Sequence, residues 1–170
     1  MFNKYHLAIL IIIPLLLGAG CQISQNTNIN SPTPVNQPVP PAPVVTKGAS
    51  LNLSNKGLTA LPKYVLDRTD LQELNISYNS LTGSLPGEIR WLQNLEILNA
   101  SYNKMTGVPA EVGQLSKLKI LDLSYNQLTG LPNEIANLKQ LQKFILIGNN
   151  PSEQDLQVIK NALPNLQIIY

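Results

Sequence analysis

One asparagine recurs at nearly equal intervals through most of the chain. Its four copies are separated by 24, 23 and 23 residues and lie at Asn79, Asn103, Asn126 and Asn149. Each belongs to a near-copy of one segment, which reads LQELNISYNSLTG from residue 71 and LKILDLSYNQLTG from residue 118. A period of about 20–29 residues with this pattern is typical of a solenoid, whose coils contact only their neighbours. The period therefore predicts stacked coils.

Apolar residues within each repeat have two successive spacings. In one repeat Leu71, Leu74 and Ile76 mark a strand, while Ile89 and Leu92 mark a helical return segment. A strand this short cannot bury its own apolar face, but strands stacked about 4.8 Å apart form a parallel ladder over one continuous core. We therefore expect an α/β solenoid with parallel strands on one side and short helices or 3-10 turns on the other.

The recurring asparagines have a structural explanation. An asparagine side chain carries both a donor and an acceptor, so it can satisfy backbone groups that are freed where the strand bends away. Leaving a buried backbone group unpaired costs about 1–3 kcal/mol. We interpret the four asparagines as a hydrogen-bonded ladder through the interior rather than as a binding site.

Three evenly spaced glutamates raise the alternative of a carboxylate row for metal binding or catalysis. They are Glu88, Glu111 and Glu134, each two residues after a proline that begins the return segment. A favourable charge near the positive end of a short helix explains them better. Successive return segments also stand too far apart for good ligand geometry. The sequence therefore predicts no metal site and no cofactor.

The histidine and cysteine content restricts the available chemistry. The single histidine is His6 and the single cysteine is Cys21. If the chain is cut before Cys21, no histidine remains for a Ser-His, Cys-His or histidine–metal site. Loss of Lys4 with that segment leaves eleven basic and ten acidic residues (12 − 1 and 10). No basic patch indicates nucleic acid, and we predict a non-enzymatic protein.

Residues 1–20 have the plan of a secretory signal peptide. Lys4 precedes an apolar run from Leu7 to Leu17, and three small residues follow it. The run is shorter than the roughly 20 residues that a spanning helix needs. An uncleaved membrane anchor is the alternative interpretation.

The sequence LLGAGC that ends at Cys21 resembles the lipobox of bacterial lipoproteins, although Gly18 stands where that family usually has leucine. The resemblance implies that Cys21 carries a thioether-linked diacylglycerol on an acylated new amino terminus. It also implies an exported protein anchored to a bacterial membrane, and Gln22 favours the outer membrane where the envelope has two. An incidental cysteine near an ordinary cleavage site is the alternative.

Residues 21–47 are predicted to be a disordered tether that carries the lipid anchor. Asparagine, glutamine, serine and threonine come first, and six prolines follow between Pro32 and Pro43. This composition has few large apolar side chains to bury and no period, so it indicates a proline-stiffened linker. Fully extended at about 3.1 Å per residue, the linker would reach roughly 80 Å.

Residues 48–170 closely resemble the leucine-rich repeat family, of the bacterial kind with LPxEIxxLxxL between strands, and SEQDLQVIKNAL near the end resembles a carboxy-terminal cap. The resemblance implies that the strands line a concave face, which usually binds the ligand. Side chains between the strand leucines point away from the core. We therefore predict that the concave face exposes three columns: Asn75, Asn99 and Asp122; Ser77, Ser101 and Ser124; and Tyr78, Tyr102 and Tyr125.

The tyrosine column is the strongest binding candidate. Three amphipathic rings beside amides and hydroxyls suit a peptide or a sugar chain, although stacked tyrosines could equally stiffen the sheet. Glu96 and Lys119 in a further column can pair across strands. The predicted function is a lipid-anchored envelope recognition module that binds a protein or peptide. The alternative is an envelope structural or adhesion protein that binds glycan.

Overall fold

One short strand recurs in every repeat of the computed structural model, which describes residues 49–170. The signal peptide, Cys21 and the tether lie outside the described residues, and their assignments stay predictions. The strands are β1 (Ala49–Asn52), β2 (Leu71–Asn75), β3 (Thr82–Gly83), β4 (Ile97–Asn99), β5 (Lys104–Met105), β6 (Ile120–Asp122), β7 (Lys143–Ile145) and β8 (Gln167–Ile169). Six of them form one parallel sheet in the order β1-β2-β4-β6-β7-β8, which confirms the predicted solenoid.

The strands of the large sheet are aligned so that equivalent residues of successive repeats lie side by side. Leu74 pairs with Leu98, which pairs with Leu121 and then with Phe144. All four side chains are buried. Each repeat therefore adds one rung to a single apolar column, as the leucine spacing predicts.

The return segments are short helices. Three of them are 3-10 helices of five residues each: Gly87–Trp91, Ala110–Gln114 and Asn133–Asn137. Each follows a proline with φ between −65° and −73°, a value that the proline ring fixes and that suits a helix start. A helical turn with its side chains is wider than a strand spacing of about 4.8 Å, so the stack curves with the sheet on its concave face.

Two α-helices stand at the ends of this series. Helix α1 (Lys63–Leu66) precedes the first 3-10 helix, and α2 (Glu153–Ala162) follows the last. The Ser152 side chain caps α2 by accepting a hydrogen bond of 3.1 Å from the backbone N–H of Asp155. Leu156 and Ile159 of α2 are buried, so this helix covers the apolar face of the last repeat.

The recurring asparagines join each repeat to the one before it. Oδ1 of Asn103 accepts a 3.0 Å hydrogen bond from the N–H of Leu81, and its Nδ2 donates 3.0 Å to the carbonyl of Ile76. The same Nδ2 also reaches the carbonyls of Ala100 and Ser101 in its own repeat. The partners of this ladder are thus backbone groups, and its asparagines do not bond to one another. Asn79, Asn126 and Asn149 bond to the backbone in the same way.

Candidate functional site

Two rows of side chains project from the concave face of the large sheet, on the side opposite the buried leucines. We call the first the isoleucine row, which consists of Glu73, Ile97, Ile120 and Lys143 on four adjacent strands. We call the second the amide row, which consists of Asn75, Asn99 and Asp122. Glu73 is exposed and the other members are half-buried. The sheet therefore offers an accessible surface of mixed character.

The amide row is partly used by the fold itself. Oδ1 of Asn99 accepts hydrogen bonds from the N–H and the hydroxyl of Ser101, at 3.0 Å and 2.7 Å. Asn75 and Asp122 hold Ser77 and Ser124 in the same way. These bonds bend the chain where each strand ends. Among the hydrogen bonds of residues 49–170, none engages Nδ2 of Asn75 or Asn99, so these donors are available to a ligand.

The serine column is not on the exposed face. Ser77, Ser101 and Ser124 are buried, with at most 5% of their surface accessible. Each hydroxyl donates to Oδ1 of the asparagine or aspartate two residues earlier. The predicted strip of exposed hydroxyls beside the tyrosines is therefore wrong. The polar groups left on this surface are the remaining atoms of the amide row.

The three tyrosines lie in the turns that follow the strands, not on the strands as the alternation predicted. Strand β2 ends at Asn75, and Tyr78 has a left-handed backbone with φ of 54°. Tyr102 and Tyr125 have φ of 52°. The backbone N–H of Tyr78 donates to the carbonyl of Ser101, and that of Tyr102 to Ser124, at 3.0 Å and 2.9 Å. The backbone hydrogen bonds that join adjacent strands therefore continue through the turns.

Because the turns are paired in this way, the three tyrosine rings lie stacked on one another. We call Tyr78, Tyr102 and Tyr125 the tyrosine rim. The ring centroids are 4.3 Å apart in both pairs, with interplanar angles of 8° and 19°. The side chains remain exposed, at 56%, 40% and 46%. Desolvation by its two neighbours raises the pKa of the Tyr102 phenol above its ordinary value. The Tyr102 phenol is therefore uncharged at neutral pH, and the rim presents hydroxyls and ring edges along one side of the sheet.

A glycine ends the tyrosine rim. Gly148 occupies the equivalent position of the next repeat with φ of 75°. A Cβ atom placed there would lie 2.8 Å from Cδ1 of Tyr125, so the Tyr125 ring packs directly over the Gly148 backbone. Both faces of Tyr102 are thus covered by neighbouring rings, whereas Tyr125 has one face against Tyr102 and its Cδ1 atom near Gly148.

The sequence analysis did not identify the isoleucine row. The signal available for it is position, because Glu73, Ile97 and Ile120 each lie two residues before a member of the amide row. Ile97 and Ile120 lie side by side on β4 and β6. Ile145, beside Asp122 on β7, continues the apolar surface on the next strand. Half-buried isoleucines on an open sheet give a partner apolar area to cover, which the amide row and the tyrosine rim alone would not supply.

One ion pair joins adjacent repeats just before the strands that carry Ile97 and Ile120. Nζ of Lys119 lies 2.6 Å from a carboxylate oxygen of Glu96 on the adjacent repeat, so these side chains do pair across strands. Both are about one-third exposed (side-chain accessibility 40% and 33%), so the pair contributes little stability in water. Its charges largely cancel for an approaching partner.

The described residues offer no metal-binding group. In residues 49–170, no three His, Cys, Asp or Glu side chains are arranged to hold a metal ion. Across the same range, every buried side-chain nitrogen and oxygen has a hydrogen-bond partner. None of the helices found there combines the length and the apolar character needed to cross a membrane.

Solved structures with a similar fold come from bacteria and plants. A leucine-rich repeat protein of Leptospira interrogans shares 46% identity with a TM-score of 0.62, over 66% of this chain and 28% of that one. The ectodomain of the Arabidopsis thaliana receptor kinase GASSHO1/SCHENGEN3, solved with CASPARIAN STRIP INTEGRITY FACTOR 2, shares 30% identity with a TM-score of 0.54, over 65% of this chain and 13% of that one. The plant peptide hormone receptor RGFR1, solved with RGF2, shares 27% identity with a TM-score of 0.58, over 71% and 20%.

These three comparisons concern proteins that are longer than this chain, which spans less than a third of the length of each. Comparison with curated protein sequences gives no significant match. A family model described as a leucine-rich repeat region matches residues 51–169, which is 119 of the 170 residues (169 − 51 + 1). The chain therefore belongs to the leucine-rich repeat family.

Proposed function

We propose that this protein is a lipid-anchored recognition module of the bacterial cell envelope, which binds a protein or peptide through its concave face and tyrosine rim. Leucine-rich repeat domains generally mediate protein–protein recognition and are typically non-enzymatic scaffolds. Two of the similar plant receptors were solved in complexes named for GASSHO1/SCHENGEN3 with CASPARIAN STRIP INTEGRITY FACTOR 2 and for RGFR1 with RGF2. These likenesses support a polypeptide ligand for this chain.

The observation that carries the proposal is the tyrosine rim. Three exposed tyrosines occupy a left-handed backbone position, which costs a non-glycine residue roughly 1–2 kcal/mol. Asparagine and glycine fill the same position in the first and last repeats, at Asn55 and Gly148, where the cost is smaller. The fold therefore needs the backbone conformation but not the rings, which leaves the rings for binding.

The stacking also bears on the kind of ligand. A sugar ring usually contacts an aromatic side chain through the face of the ring. Both faces of Tyr102 and one face each of Tyr78 and Tyr125 are already covered, so the rim offers mainly ring edges and hydroxyl groups. Edges and hydroxyls suit the amides and side chains of a polypeptide. We therefore favour a protein or peptide over the glycan alternative.

The anchor part of the proposal rests on the lipobox resemblance at Cys21. A diacylglycerol with an acylated amino terminus supplies more than one acyl chain, and each buried CH₂ contributes about 0.8 kcal/mol, so the attachment is stable. The predicted tether of residues 21–47 would then hold the repeat domain away from the lipid surface. Placement in the outer membrane, where there is one, rests on Gln22 alone.

Photocrosslinking in intact cells tests the recognition function. We would place p-benzoylphenylalanine at Tyr78, which ends the stack, and in a matched control at Gln114, which is exposed on the convex side. A discrete adduct from the Tyr78 position that is absent from the Gln114 position supports the proposal. A protease-sensitive adduct is a polypeptide ligand, whereas one removed only by glycosidase contradicts it. Absence of an adduct at Tyr78 also counts against it.

A further inference from the structure

The charges at the two ends of the isoleucine row point to a particular ligand. We infer that the concave face binds a short extended peptide with a cationic side chain and an anionic side chain four residues apart and an apolar side chain midway between them. This inference rests on the proposed peptide-binding function and specifies the chemistry of the ligand.

Opposite charges flank the apolar centre of the isoleucine row. Glu73 on β2 and Lys143 on β7 lie outside Ile97 and Ile120, in register with them. The ion pairs among residues 49–170 are Arg68–Asp70, Arg90–Glu111, Lys119–Glu96 and Lys160–Glu153. Glu73 and Lys143 belong to none of them. Each is thus available to an opposite charge on a partner.

Of the other charged groups near the isoleucine row, two form an ion pair, and Asp122 keeps its negative charge but lies outside the row. Glu96 and Lys119 pair with each other at 2.6 Å. Asp122 holds the N–H and hydroxyl of Ser124 through Oδ1, two residues further along β6 than Ile120. The charges left for a ligand in the isoleucine row are therefore one carboxylate at the amino-terminal end and one ammonium group at the carboxy-terminal end.

The spacing of the two charges matches an extended peptide. Glu73 and Lys143 lie on the first and the last of four adjacent strands. Three strand spacings of about 4.8 Å therefore separate them, or roughly 14 Å. An extended chain rises about 3.3 Å per residue, so four residues span roughly 13 Å. Side chains at positions i, i+2 and i+4 of such a chain point the same way. A peptide lying across the strands can therefore contact Glu73, the isoleucine pair and Lys143 together.

A shallow depression beside Glu73 gives the cationic end a place to bind. It has a volume of about 270 Å³, and its lining includes Ser50, Asn52, Glu73, Asn75, Ile97 and Asn99. Ile97 in this lining can pack against the methylene groups of a lysine or arginine side chain of the ligand. The carboxylate can accept two parallel hydrogen bonds from a guanidinium group, so arginine fits this end best.

Binding of designed peptides to the immobilised full chain tests the inference. The probes are acetylated and amidated peptides with the core Arg-Ser-Leu-Ser-Glu, its dibasic form with Arg at both ends, its diacidic form with Glu at both ends, and the first core with Leu replaced by Ser. Equimolar mixtures are applied, and retained peptides are quantified by mass spectrometry. Reversing the sequence is not a control, because an extended peptide can lie in either direction.

Two variants should exchange the preference of the protein. We expect the native chain to retain the Arg/Glu peptide about threefold to tenfold better than the dibasic and diacidic forms, the size of effect that exposed ion pairs give. Glu73→Lys should favour the diacidic peptide, and Lys143→Glu the dibasic one. The matched controls Glu134→Lys and Lys63→Glu change the same charges at exposed positions on the helical return segments, and they should keep the native preference.

The outcomes separate this inference from the proposed function. Preference that exchanges in the two concave-face variants and not in the controls supports the inference. Equal retention of all charged peptides, equal retention of the Leu and Ser forms, or no retention overturns it. If the Tyr78 crosslink persists in that case, peptide recognition stands and only the predicted ligand chemistry fails. If the crosslink is also absent, the proposed function fails as well.

Discussion

At the scale of single residues, one left-handed backbone position is shared by all five repeats but filled by three residue types. Asn55, Tyr78, Tyr102, Tyr125 and Gly148 have φ between 52° and 75°. Asparagine and glycine tolerate this conformation better than tyrosine. Stacking offsets part of the cost, since an aromatic pair contributes about 0.5–1.5 kcal/mol beyond its buried area. Stability therefore does not require the tyrosines, and their identity is free to serve binding.

Replacing all three rim tyrosines by asparagine tests this separation of stability from binding. The triple variant loses two stacked pairs, about 1–3 kcal/mol in all, but relieves part of the strain of three left-handed tyrosines, about 3–6 kcal/mol in all. We therefore expect the free energy of unfolding to stay the same or to increase. Asparagine is the appropriate replacement because Asn55 already occupies the position. Differential scanning calorimetry measures the first effect. The second is measured by the yield of the cellular adduct from p-benzoylphenylalanine placed at Ile97 on the concave face, with and without the triple replacement.

For that variant, an unchanged or higher melting temperature with at least tenfold less adduct supports a binding rim. A large fall in melting temperature would mean that the stack stiffens the sheet instead. An unaltered adduct yield would remove the tyrosines from the binding surface.

A buried asparagine of the ladder should behave in the opposite way. Asn103→Ala removes the partner of the Leu81 N–H and of the Ile76 carbonyl, and we expect a loss of about 1–3 kcal/mol in the free energy of unfolding. The matched control is Asn137→Ala, at an exposed position on the convex side. Urea denaturation compares the two; equal midpoints for Asn103→Ala and the native chain would refute a stabilising ladder.

At the scale of secondary-structure elements, the 3-10 helices pack closely enough to require a glycine at one point. Gly113, in the helix Ala110–Gln114, faces the neighbouring helix Asn133–Asn137. A Cβ atom at Gly113 would lie 2.2 Å from the carbonyl oxygen of Glu134. Backbone cannot move aside as a flexible side chain can. Close approach of two repeats therefore depends on the missing side chain.

Gly113→Ala should destabilise the protein by about 1–3 kcal/mol, the usual cost of inserting a group into well-packed structure. Gly107→Ala is the control, because a Cβ atom there meets no other atom within 4 Å. Thermal unfolding followed by circular dichroism distinguishes them. Similar melting temperatures for the two variants would show that the helices can separate without cost.

The sequence could predict the elements better than their ends. Leucine spacing and the repeated asparagine suffice for the parallel sheet and the helical returns, because those residues form the core of every repeat. Alternation continues through Asn75, Ile76, Ser77 and Tyr78 even though β2 stops at Asn75. The Asn75 side chain accepts a hydrogen bond from the N–H of Ser77 and bends the chain there. A period-two pattern in the sequence gives no sign of this bend. For this reason the serines are buried although they were predicted to be exposed, whereas the tyrosines are exposed as predicted but lie in turns instead of on strands.

The isoleucine row and the second sheet were missed for different reasons. Ile97 and Ile120 each stand beside a core leucine, so the apolar runs LEIL and LKIL read as core rather than as surface. Register between strands is needed to see that they face outward with Glu73 and Lys143. Strands β3 and β5 contain two residues each, which is too short for any period to show.

At the scale of the whole molecule, each proposed activity depends on a different part of the chain. The described residues 49–170 provide the recognition surface, while the predicted anchor depends on Cys21. Because the repeats are joined mainly to their neighbours, changes at the anchor should leave the folding of the repeats unaltered. Attachment and recognition can therefore be tested separately in the full chain.

Radiolabelled palmitate should be incorporated into the native protein but not into Cys21→Ser. The physical reason is that the thiolate sulfur of Cys21 would form the thioether bond to the diacylglycerol, and a serine hydroxyl is a much weaker nucleophile. Cells expressing each form would be labelled, fractionated and analysed by gel fluorography. Label retained in Cys21→Ser, or absent from both forms, would contradict the lipoprotein assignment.

Regular stacking has a consequence for how the ligand is selected. Glu73 and Lys143 are separated by a whole number of strands. The distance between their charges can therefore change only in steps of about 4.8 Å. Duplicating one repeat between these residues would increase that distance by one step, and a ligand matched to the present spacing would then reach only one of the two charges. A repeat added after β8 would leave the distance between Glu73 and Lys143 unchanged.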